Sequence, residues 1–217
     1  VANCPGKNAI AVAELAWGLI LAADRCIADQ TADLRAGKWN KKGYAKKGLG
    51  LYGRTLGVIG LGRVGSVVAR VGKAFDMNVI AWSRNMTQQR CDEFAARLVS
   101  KDELFSQADI VTVHLLLGDR SRGLIGAHEL GLMKPTAYFL NTSNPQAVDE
   151  KALVKALSSG EIAGAALDVF ETHPLPTNSP LLTLDNVVLT PHLAGATQET
   201  VERHSRMMTD DILRFLN

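Results

Sequence analysis

A glycine-rich turn, set between an apolar run and a helix-like segment, constrains the fold more than any other stretch of this sequence. The segment TLGVIGLGRVGSVVARVG has the spacing G-x-G-x-x-G, with glycines at Gly60, Gly62 and Gly65. The first glycine permits a tight turn, the second lets the backbone approach a pyrophosphate, and the third lets the helix pack near the strand. A helix N-terminus adds free N–H groups and partial positive charge. The turn therefore predicts a dinucleotide-binding strand–turn–helix unit.

Short apolar runs alternate with helix-like segments from Thr55 onward. The runs are TLGVIG, NVIAWS, DIVTVHLLL, TAYFLN, AGAALDVF and NVVLTP, and ARLVS adds a short edge strand. The segments RVGSVVARVGKAF, TQQRCDEFAAR, GAHELGLM and DEKALVKALSSG lie between most of them. Such alternation predicts right-handed βαβ units and a parallel sheet. We therefore predict the α/β class, with a doubly wound Rossmann sheet and flanking helices.

Helical and lysine-rich segments flank this alternating region. Residues 8–36 resemble one long helix that is apolar on more than one face, as expected of a helix buried in a core or a subunit interface. The following GKWNKKGYAKKGLGLYG is predicted to be a solvated arm, although its basic and aromatic residues could also bind nucleic acid. The tail TQETVERHSRMMTDDILRFLN is predicted to be an amphipathic helix. We predict a single domain, 1–217, with an interface helix and arm (1–53), a dinucleotide-binding core (54–195) and a C-terminal helix (196–217).

Composition excludes several classes of partner. The formal net charge is +2 and the pI is near 8.5, which is too mildly basic to indicate a nucleic-acid or membrane partner. The apolar stretch of the first helix is interrupted by Glu14 and is too short to span a bilayer. The cysteines, Cys4, Cys26 and Cys91, are scattered and odd in number, so we expect a reducing, cytoplasmic location without disulfides.

The residue that ends the second predicted strand indicates which dinucleotide binds. An Asp or Glu at this place accepts hydrogen bonds from the adenosine ribose and marks NAD. The sequence AWSRN instead supplies Ser83 and Arg84. Arginine can hold a 2′-phosphate through charge-assisted, forked hydrogen bonds. The cofactor is therefore NADP or NAD, and Ser83 with Arg84 favours NADP.

Candidate catalytic residues lie where the remaining strands end. The carboxyl ends of strands in a parallel sheet face one crevice, and ligands bind there. His114 ends one apolar run, residues 141–144 end the next, and His192 follows another. An imidazole exchanges protons near neutral pH, so His192 is a candidate general acid or base, with a core histidine as the alternative. His173 lies in a proline-rich loop, but no ligand spacing joins it to His114 and His192, so no metal site is predicted.

Taken together, these segments resemble the D-2-hydroxyacid dehydrogenase family, which includes phosphoglycerate, D-lactate and glyoxylate/hydroxypyruvate dehydrogenases. The resemblance covers essentially the whole chain and depends on NAIAVAELAWGLILA, LYGRTLGVIGLGRVGSVVA, ADIVTVHLLL, LMKPTAYFLNTS, VDEKALVKALSSGEIAGAALDVFE and NVVLTPHLAGAT, in that order. It matches the family's nucleotide-binding domain, whereas the family's separate substrate domain has no counterpart here. Because the sequence opens on Val1 rather than Met, we expect an excised domain.

The resemblance implies roles for the matching residues. Arg63 and Val64 would contribute to the pyrophosphate turn. Asp168 would lie near the nicotinamide carboxamide, and His192 would transfer the proton. The family also dimerises through this domain, which implies a homodimer formed by the first helix and the arm. The other residues predicted to line the cofactor are Gly60, Gly62, Gly65, Ser83, Arg84, His114, Leu115, Thr142, Ser143, Asn144 and Gly195.

Two positions depart from the family's pattern. The family reads Asn-Thr-Ser-Arg-Gly where this chain has Asn141 to Pro145, so Asn144 replaces a substrate-orienting arginine. Losing one well-placed electrostatic donor typically costs roughly 100- to 1000-fold in rate. Pro145 also removes an N–H and biases Asn144 away from the right-handed helical region. His173 occupies the position of the family's glutamate, the partner of the catalytic histidine, while Glu171 lies two residues earlier.

Three functions agree with these observations. The first is an NAD(P)-dependent oxidoreductase acting on the CH–OH group of small D-2-hydroxy acids, or reducing the 2-keto acids. His192 would be its acid, His173 the partner of His192, and Asn144 a weaker carbonyl anchor. The second is a catalytically impaired dinucleotide-binding and dimerisation module. The third is an excised domain that binds cofactor without its substrate half, and the phosphate turn predicts cofactor binding under all three.

Overall fold

Seven parallel strands form a single sheet in the computed structural model, which describes residues 8–39 and 50–216. The strand order is β3-β2-β1-β4-β5-β6-β7, and every neighbouring pair is parallel. This order reverses direction between β1 and β4, as in a doubly wound sheet. The Rossmann prediction is therefore confirmed. The strands are β1 Thr55–Ile59, β2 Asn78–Trp82, β3 Arg97–Leu98, β4 Ile110–Val113, β5 Tyr138–Asn141, β6 Gly164–Leu167 and β7 Val187–Leu189.

Helices cover both faces of the sheet. Because both faces are covered, the central strands are buried without alternation: all four residues of β4 and all four of β6 are buried. Side chains of α1, α3 and α4 pack on one face, and side chains of α5, α6 and α7 pack on the other. The helices are α1 Ala9–Asp24, α2 Ile27–Arg35, α3 Arg63–Ala74, α4 Gln88–Asp92, α5 Lys101–Gln107, α6 Ala127–Leu132, α7 Glu150–Ser158 and α8 Gln198–Leu216.

The first predicted helix is two helices rather than one. Cys26 takes the left-handed conformation, with φ 51°, and this interrupts the helical backbone between α1 and α2. The apolar α1 is buried in the core of this domain, where the Trp17 indole donates a hydrogen bond to the Val68 carbonyl at 3.3 Å. The helix predicted at TQQRCDEFAAR is also shorter, since α4 ends at Asp92 and Ala95 turns with φ 50° to begin the edge strand.

The lysine-rich arm falls largely outside the described residues, because residues 40–49 are not among them. Trp39 and Tyr52, on either side of that gap, are exposed. In α8 only Thr200 is buried, and much of the apolar side of this helix faces solvent. Within the described ranges, none of the helices has both the length and the apolar character needed to cross a bilayer. Dimerisation through α1 and the arm stays a prediction.

Candidate active site

The phosphate turn joins β1 to α3 with no room for side chains at two of its glycines. Gly60 has φ 96°, and a Cβ there would lie 2.6 Å from the His114 carbonyl oxygen. A Cβ on Gly65 would lie 1.9 Å from the carbonyl oxygen of Gly60. Because glycine has no Cβ, α3 can approach the turn this closely. At Gly62, by contrast, an added Cβ would meet nothing within 4 Å. The turn is therefore tightly packed at Gly60 and Gly65 and open at Gly62. An opening of this kind at the start of a helix leaves room for a bulky anion.

A groove of about 740 Å³ opens in front of this turn, at the carboxyl ends of β1, β2 and β4. Its volume is in the range that small-molecule and cofactor sites occupy. Besides the turn, its lining includes Ser83, Arg84, Arg90, His114, Leu115 and Arg120. Of the residues predicted at the β1, β2 and β4 exits, the groove brings together Gly60, Gly62, Ser83, Arg84, His114 and Leu115, and its lining does not include Arg63, Val64 or Gly65. Those that follow β5, β6 and β7 lie further along the same edge of the sheet.

The groove is basic where it passes the exit of β2. Ser83 is half-buried and Arg84 is exposed, and the Arg84 Nη2 donates to the Arg120 carbonyl oxygen across the groove at 3.3 Å. The segment 83–87 contains no acidic residue, although Asp119 lines the opposite side of the groove. A guanidinium that follows β2 without a carboxylate beside it can bind a negatively charged group of a ligand.

His114 is a buried, neutral imidazole at the end of β4. Its Nε2 lies 2.8 Å from the Thr112 hydroxyl, and its Nδ1 has no hydrogen-bond partner in the structure. Burial lowers the pKa of His114 to about 3, because a charged imidazole would lose its hydration there. His114 can therefore offer the groove one uncharged polar atom, but it cannot serve as an acid near neutral pH.

The turn after β5 is organised by Asn141, whose role the sequence analysis missed. The Asn141 Oδ1 accepts the N–H groups of Ser143 and Asn144 at 3.1 and 3.2 Å, and its Nδ2 donates to the Asn144 carbonyl at 2.9 Å. The Ser143 hydroxyl donates to the Val113 carbonyl, which ties this turn to β4. An asparagine at the end of a strand, followed by small polar residues, is the signal that could have identified this turn.

Asn144 is buried, and only the oxygen of its side-chain amide has a hydrogen-bond partner among the described residues. Its Oδ1 accepts the Gln146 N–H at 3.0 Å, at the start of a 3₁₀ turn, Pro145–Ala147. Among the residues that the structure describes, its Nδ2 has no hydrogen-bond partner, and neither does the Thr142 Oγ1. Buried polar atoms are almost always hydrogen-bonded. Three such atoms at the ends of β4 and β5 (in His114, Thr142 and Asn144) fit a polar ligand along this edge of the sheet.

Asp168 fixes the loop that carries His192. This fully buried carboxylate accepts the Thr190 hydroxyl at 2.6 Å and the N–H groups of Leu193 and Ala194, both at 2.8 Å. Held on both sides, His192 takes the left-handed conformation with φ 57°. The predicted contact of Asp168 with a carboxamide stays a prediction; what the structure adds is its bonding to the His192 loop. Gly195 follows in this loop, where a Cβ would lie 2.9 Å from the Asn8 Nδ2.

His173 and His192 form a pair on the surface of the site. The Nδ1 of His192 lies 3.2 Å from the Nε2 of His173, and the ring centroids are 5.0 Å apart. In a neutral pair one nitrogen donates and the other accepts. The nearby Glu171 donates its backbone N–H to the Glu150 carboxylate. The described residues contain no group of three or more His, Cys, Asp or Glu that could hold a metal ion.

All these residues share the carboxyl edge of the sheet. Backbone hydrogen bonds continue past the strands there, from Gly60 to Trp82, His114 to Ile59, Asp168 to Asn141 and Thr190 to Leu167. Along this edge, in the order of the strands, follow the phosphate turn, the three buried polar atoms that lack partners among the described residues, and the exposed histidine pair. The residues fit an elongated ligand that carries phosphate at one end and a reacting group at the other.

Known proteins resemble this chain over its whole length. It is 45% identical over 220 residues to a glyoxylate reductase of Aeropyrum pernix, covering 99% of this chain and 66% of the relative. It is 43% identical over 217 residues to a D-3-phosphoglycerate dehydrogenase of Methanocaldococcus jannaschii, covering 100% of this chain and 41% of the relative. The crystal structure of a phosphoglycerate oxidoreductase from Vibrio cholerae superposes with a TM-score of 0.90 at 36% identity, covering 96% of this chain and 67% of that one.

The chain thus spans between two fifths and two thirds of the length of these curated relatives. A family model described as the NAD-binding domain of D-isomer specific 2-hydroxyacid dehydrogenases matches residues 17–194, which contain the phosphate turn, the three buried polar atoms and the histidine pair. The chain therefore belongs to the D-isomer specific 2-hydroxyacid dehydrogenases, and what it contains of them is their NAD-binding domain.

Proposed function

We propose that this protein binds NAD(P) and reduces small 2-keto acids to D-2-hydroxy acids, with His192 as the proton donor. The observation that carries the proposal is the placing of His192 on the same sheet edge as the phosphate turn, in a loop held by the buried Asp168 carboxylate. A backbone fixed in this way presents one imidazole at a defined place, which general acid catalysis requires.

Different residues along the edge would bind different parts of the cofactor. Gly62, Arg63 and Val64 would hold the pyrophosphate at the start of α3, while the adenosine ribose would meet Ser83 and Arg84. A bound nicotinamide cofactor would supply the hydride. The remaining cofactor-lining residues of this proposal are His114, Leu115, Thr142, Ser143, Asn144, Asp168 and Gly195.

Near the reacting group, the histidine pair and Asn144 carry the chemistry. The contact with His173 occupies the Nδ1 of His192 and leaves its Nε2 for the substrate. In the protonated ring both nitrogens carry a proton, so Nδ1 would donate to His173 while Nε2 would transfer its proton to a substrate carbonyl. The unpartnered Nδ2 of Asn144 is a neutral N–H donor that could orient the same carbonyl. Because Asn144 has no charge, it cannot make the forked contact to a carboxylate that an arginine makes.

The functional test is oxidation of NADH or NADPH by this chain in the presence of glyoxylate or hydroxypyruvate. We expect turnover to depend on His192, so His192→Gln should lower kcat by about 10²- to 10⁴-fold. His128→Gln, an exposed histidine on α6, is the matched control and should leave the rate unchanged. Equal rates for the wild type and His192→Gln would refute the assignment of His192 as the acid.

A second candidate function is a dinucleotide-binding module without turnover. It is favoured by Asn144 and His173, which stand where the family carries a charged arginine and glutamate. In the same experiment, cofactor binding with no oxidation by either keto acid would exclude turnover by this chain alone. Joining the chain to a substrate domain of the family then separates the two remaining functions, because an excised domain should turn over and this module should not. When the chain is joined to that substrate domain, restoring the pair of charges with Asn144→Arg, Pro145→Gly and His173→Glu would then be expected to produce turnover.

We further infer a preference for NADP over NAD from the basic β2 end of the groove. Arg84→Met should weaken NADPH binding by roughly 10- to 100-fold, because one charge-assisted contact to a phosphate is lost, and should leave NADH affinity within about twofold. Isothermal titration of both cofactors measures this. Arg97→Met, which removes an arginine bonded to Gln107 away from the groove, is the control. Equal weakening of both cofactors by Arg84→Met would exclude 2′-phosphate recognition at this residue.

The remaining proposals concern location and assembly. We infer a cytoplasmic protein, since Cys26 and Cys91 are free thiols and Cys91 is buried. We also infer a homodimer through the first helices, supported by the exposed apolar side chains of Ile10, Ile27 and Leu34. Analytical ultracentrifugation of the purified chain tests the dimer.

A further inference from the structure

Arg90, on the short helix α4, reaches back to the phosphate turn. Its Nε and Nη2 both donate to the carbonyl oxygen of Leu61, at 3.2 and 2.9 Å. Leu61 is the residue between the first two glycines of the turn, and its side chain is buried. One carbonyl oxygen of the turn is thus held by two N–H groups of one guanidinium.

The guanidinium is itself fixed on its other sides. Its Nη1 pairs with Glu93, and its Cζ lies 4.5 Å from the centroid of the Phe94 ring. Thr87 caps α4 by accepting the Arg90 N–H at 3.2 Å, so the backbone that carries Arg90 is held as well. These contacts already restrict the rotation of the Arg90 guanidinium. Its hydrogen bonds to Leu61 therefore cost little additional conformational entropy.

Holding the Leu61 carbonyl fixes more than one atom. The peptide bond is planar, and in the trans form its C=O and N–H point in opposite directions. When Arg90 sets the direction of the Leu61 oxygen, it also sets the direction of the Gly62 N–H. Gly62 immediately precedes α3, at the open front of the turn, where a Cβ would meet nothing within 4 Å.

We propose that Arg90 is a positioning residue that fixes the Leu61–Gly62 peptide from the neighbouring helix, and so governs affinity for the pyrophosphate that NAD and NADP share. This inference depends on the proposed cofactor binding. It gives Arg90 a role different from that of Arg84, although both line the groove, because the two guanidinium donors facing the turn are already committed to Leu61.

The test is titration of the purified chain with NADH, NADPH and ADP-ribose, which all carry the pyrophosphate. We expect Arg90→Met to weaken all three by a common factor of roughly tenfold or more, with the NADPH-to-NADH affinity ratio unchanged. Arg90→Lys keeps the charge but loses the fork, so it should recover only part of the affinity. Arg97→Met is the matched control, because it removes an arginine of the edge strand β3 that is bonded to Gln107 and does not line the groove.

Amide hydrogen exchange of the chain without cofactor gives a second readout that does not depend on binding. The Ser66 N–H, which donates to the Gly62 carbonyl at 3.1 Å, should exchange faster in Arg90→Met than in the wild type, whereas amides of β5 and β6 should not change. Unchanged affinity for all three ligands, or loss of NADPH binding alone, would overturn the proposal. If the wild type binds no cofactor, the proposed function fails, and unchanged Ser66 exchange would then overturn the positioning role separately. If Arg90→Met does not fold, Arg90→Lys decides between the same outcomes.

Discussion

Gly65→Ala should abolish dinucleotide binding and destabilise the domain by about 3 kcal/mol, a large effect for the addition of one methyl group. The new Cβ would lie 1.9 Å from the Gly60 carbonyl oxygen and 3.2 Å from the Val58 Cγ1. The nearest of these atoms is backbone, so no side-chain rotation relieves the overlap. The first turn of α3 must move away from β1, and the N–H groups that face the phosphate move with it. Urea denaturation measures the loss in the free energy of unfolding, and NADH titration measures the loss of binding.

Gly62→Ala separates these two effects. Its Cβ meets no protein atom within 4 Å, so the free energy of unfolding should stay within about 1 kcal/mol of the wild type. The same methyl group points into the space where a pyrophosphate would approach the backbone, so NADH affinity should still fall at least tenfold. A Gly62→Ala protein that binds NADH as tightly as the wild type would show that the cofactor does not pass over this turn.

The fold could be predicted from the sequence because its signals are local. A strand buried on both faces is a short apolar run, and six such runs separated by helix-like segments leave few topologies for a parallel sheet. The helix lengths were less accurate. Cys26 and Ala95 adopt left-handed backbones that divide or shorten predicted helices, and neither residue type signals that conformation in a sequence.

Only the part of the site that has a local sequence signal could be predicted. The glycine spacing identifies the phosphate turn, because sterics dictate the residue type at Gly60 and Gly65. The hydrogen bonds from Arg90 to Leu61 join residues 29 positions apart. Those that link Asp168 to the His192 loop join residues 22 to 26 positions apart. No local pattern reports such contacts, since they depend on which strands become neighbours. The pairing of His173 with His192 was anticipated only through the family's pattern.

Asp168→Asn should lower the free energy of unfolding by about 3 kcal/mol and displace His192. The carboxylate has three donors aimed at it: the Thr190 hydroxyl and Leu193 N–H at Oδ1, and the Ala194 N–H at Oδ2. An asparagine side chain can offer only one acceptor oxygen, and its NH₂ group must face at least one of these donors. A buried N–H without a partner, together with the loss of a charged acceptor, accounts for the expected loss of stability.

The left-handed backbone of His192 makes this residue especially sensitive to the loss of the Asp168 carboxylate. A non-glycine residue in the left-handed region persists because its surroundings hold it, and here the holding group is Asp168. Once the loop is released, His192 should relax and its contact with His173 should be lost, which imidazole NMR signals of the two histidines report. Thr190→Val is the matched control, since it removes one donor and leaves the carboxylate, so it should cost only about 1 kcal/mol and keep the histidine pair. An Asp168→Asn protein with wild-type stability and an unchanged His173–His192 contact would mean that the β7 exit loop is held by its own backbone, and that the carboxylate is free to serve a bound cofactor instead.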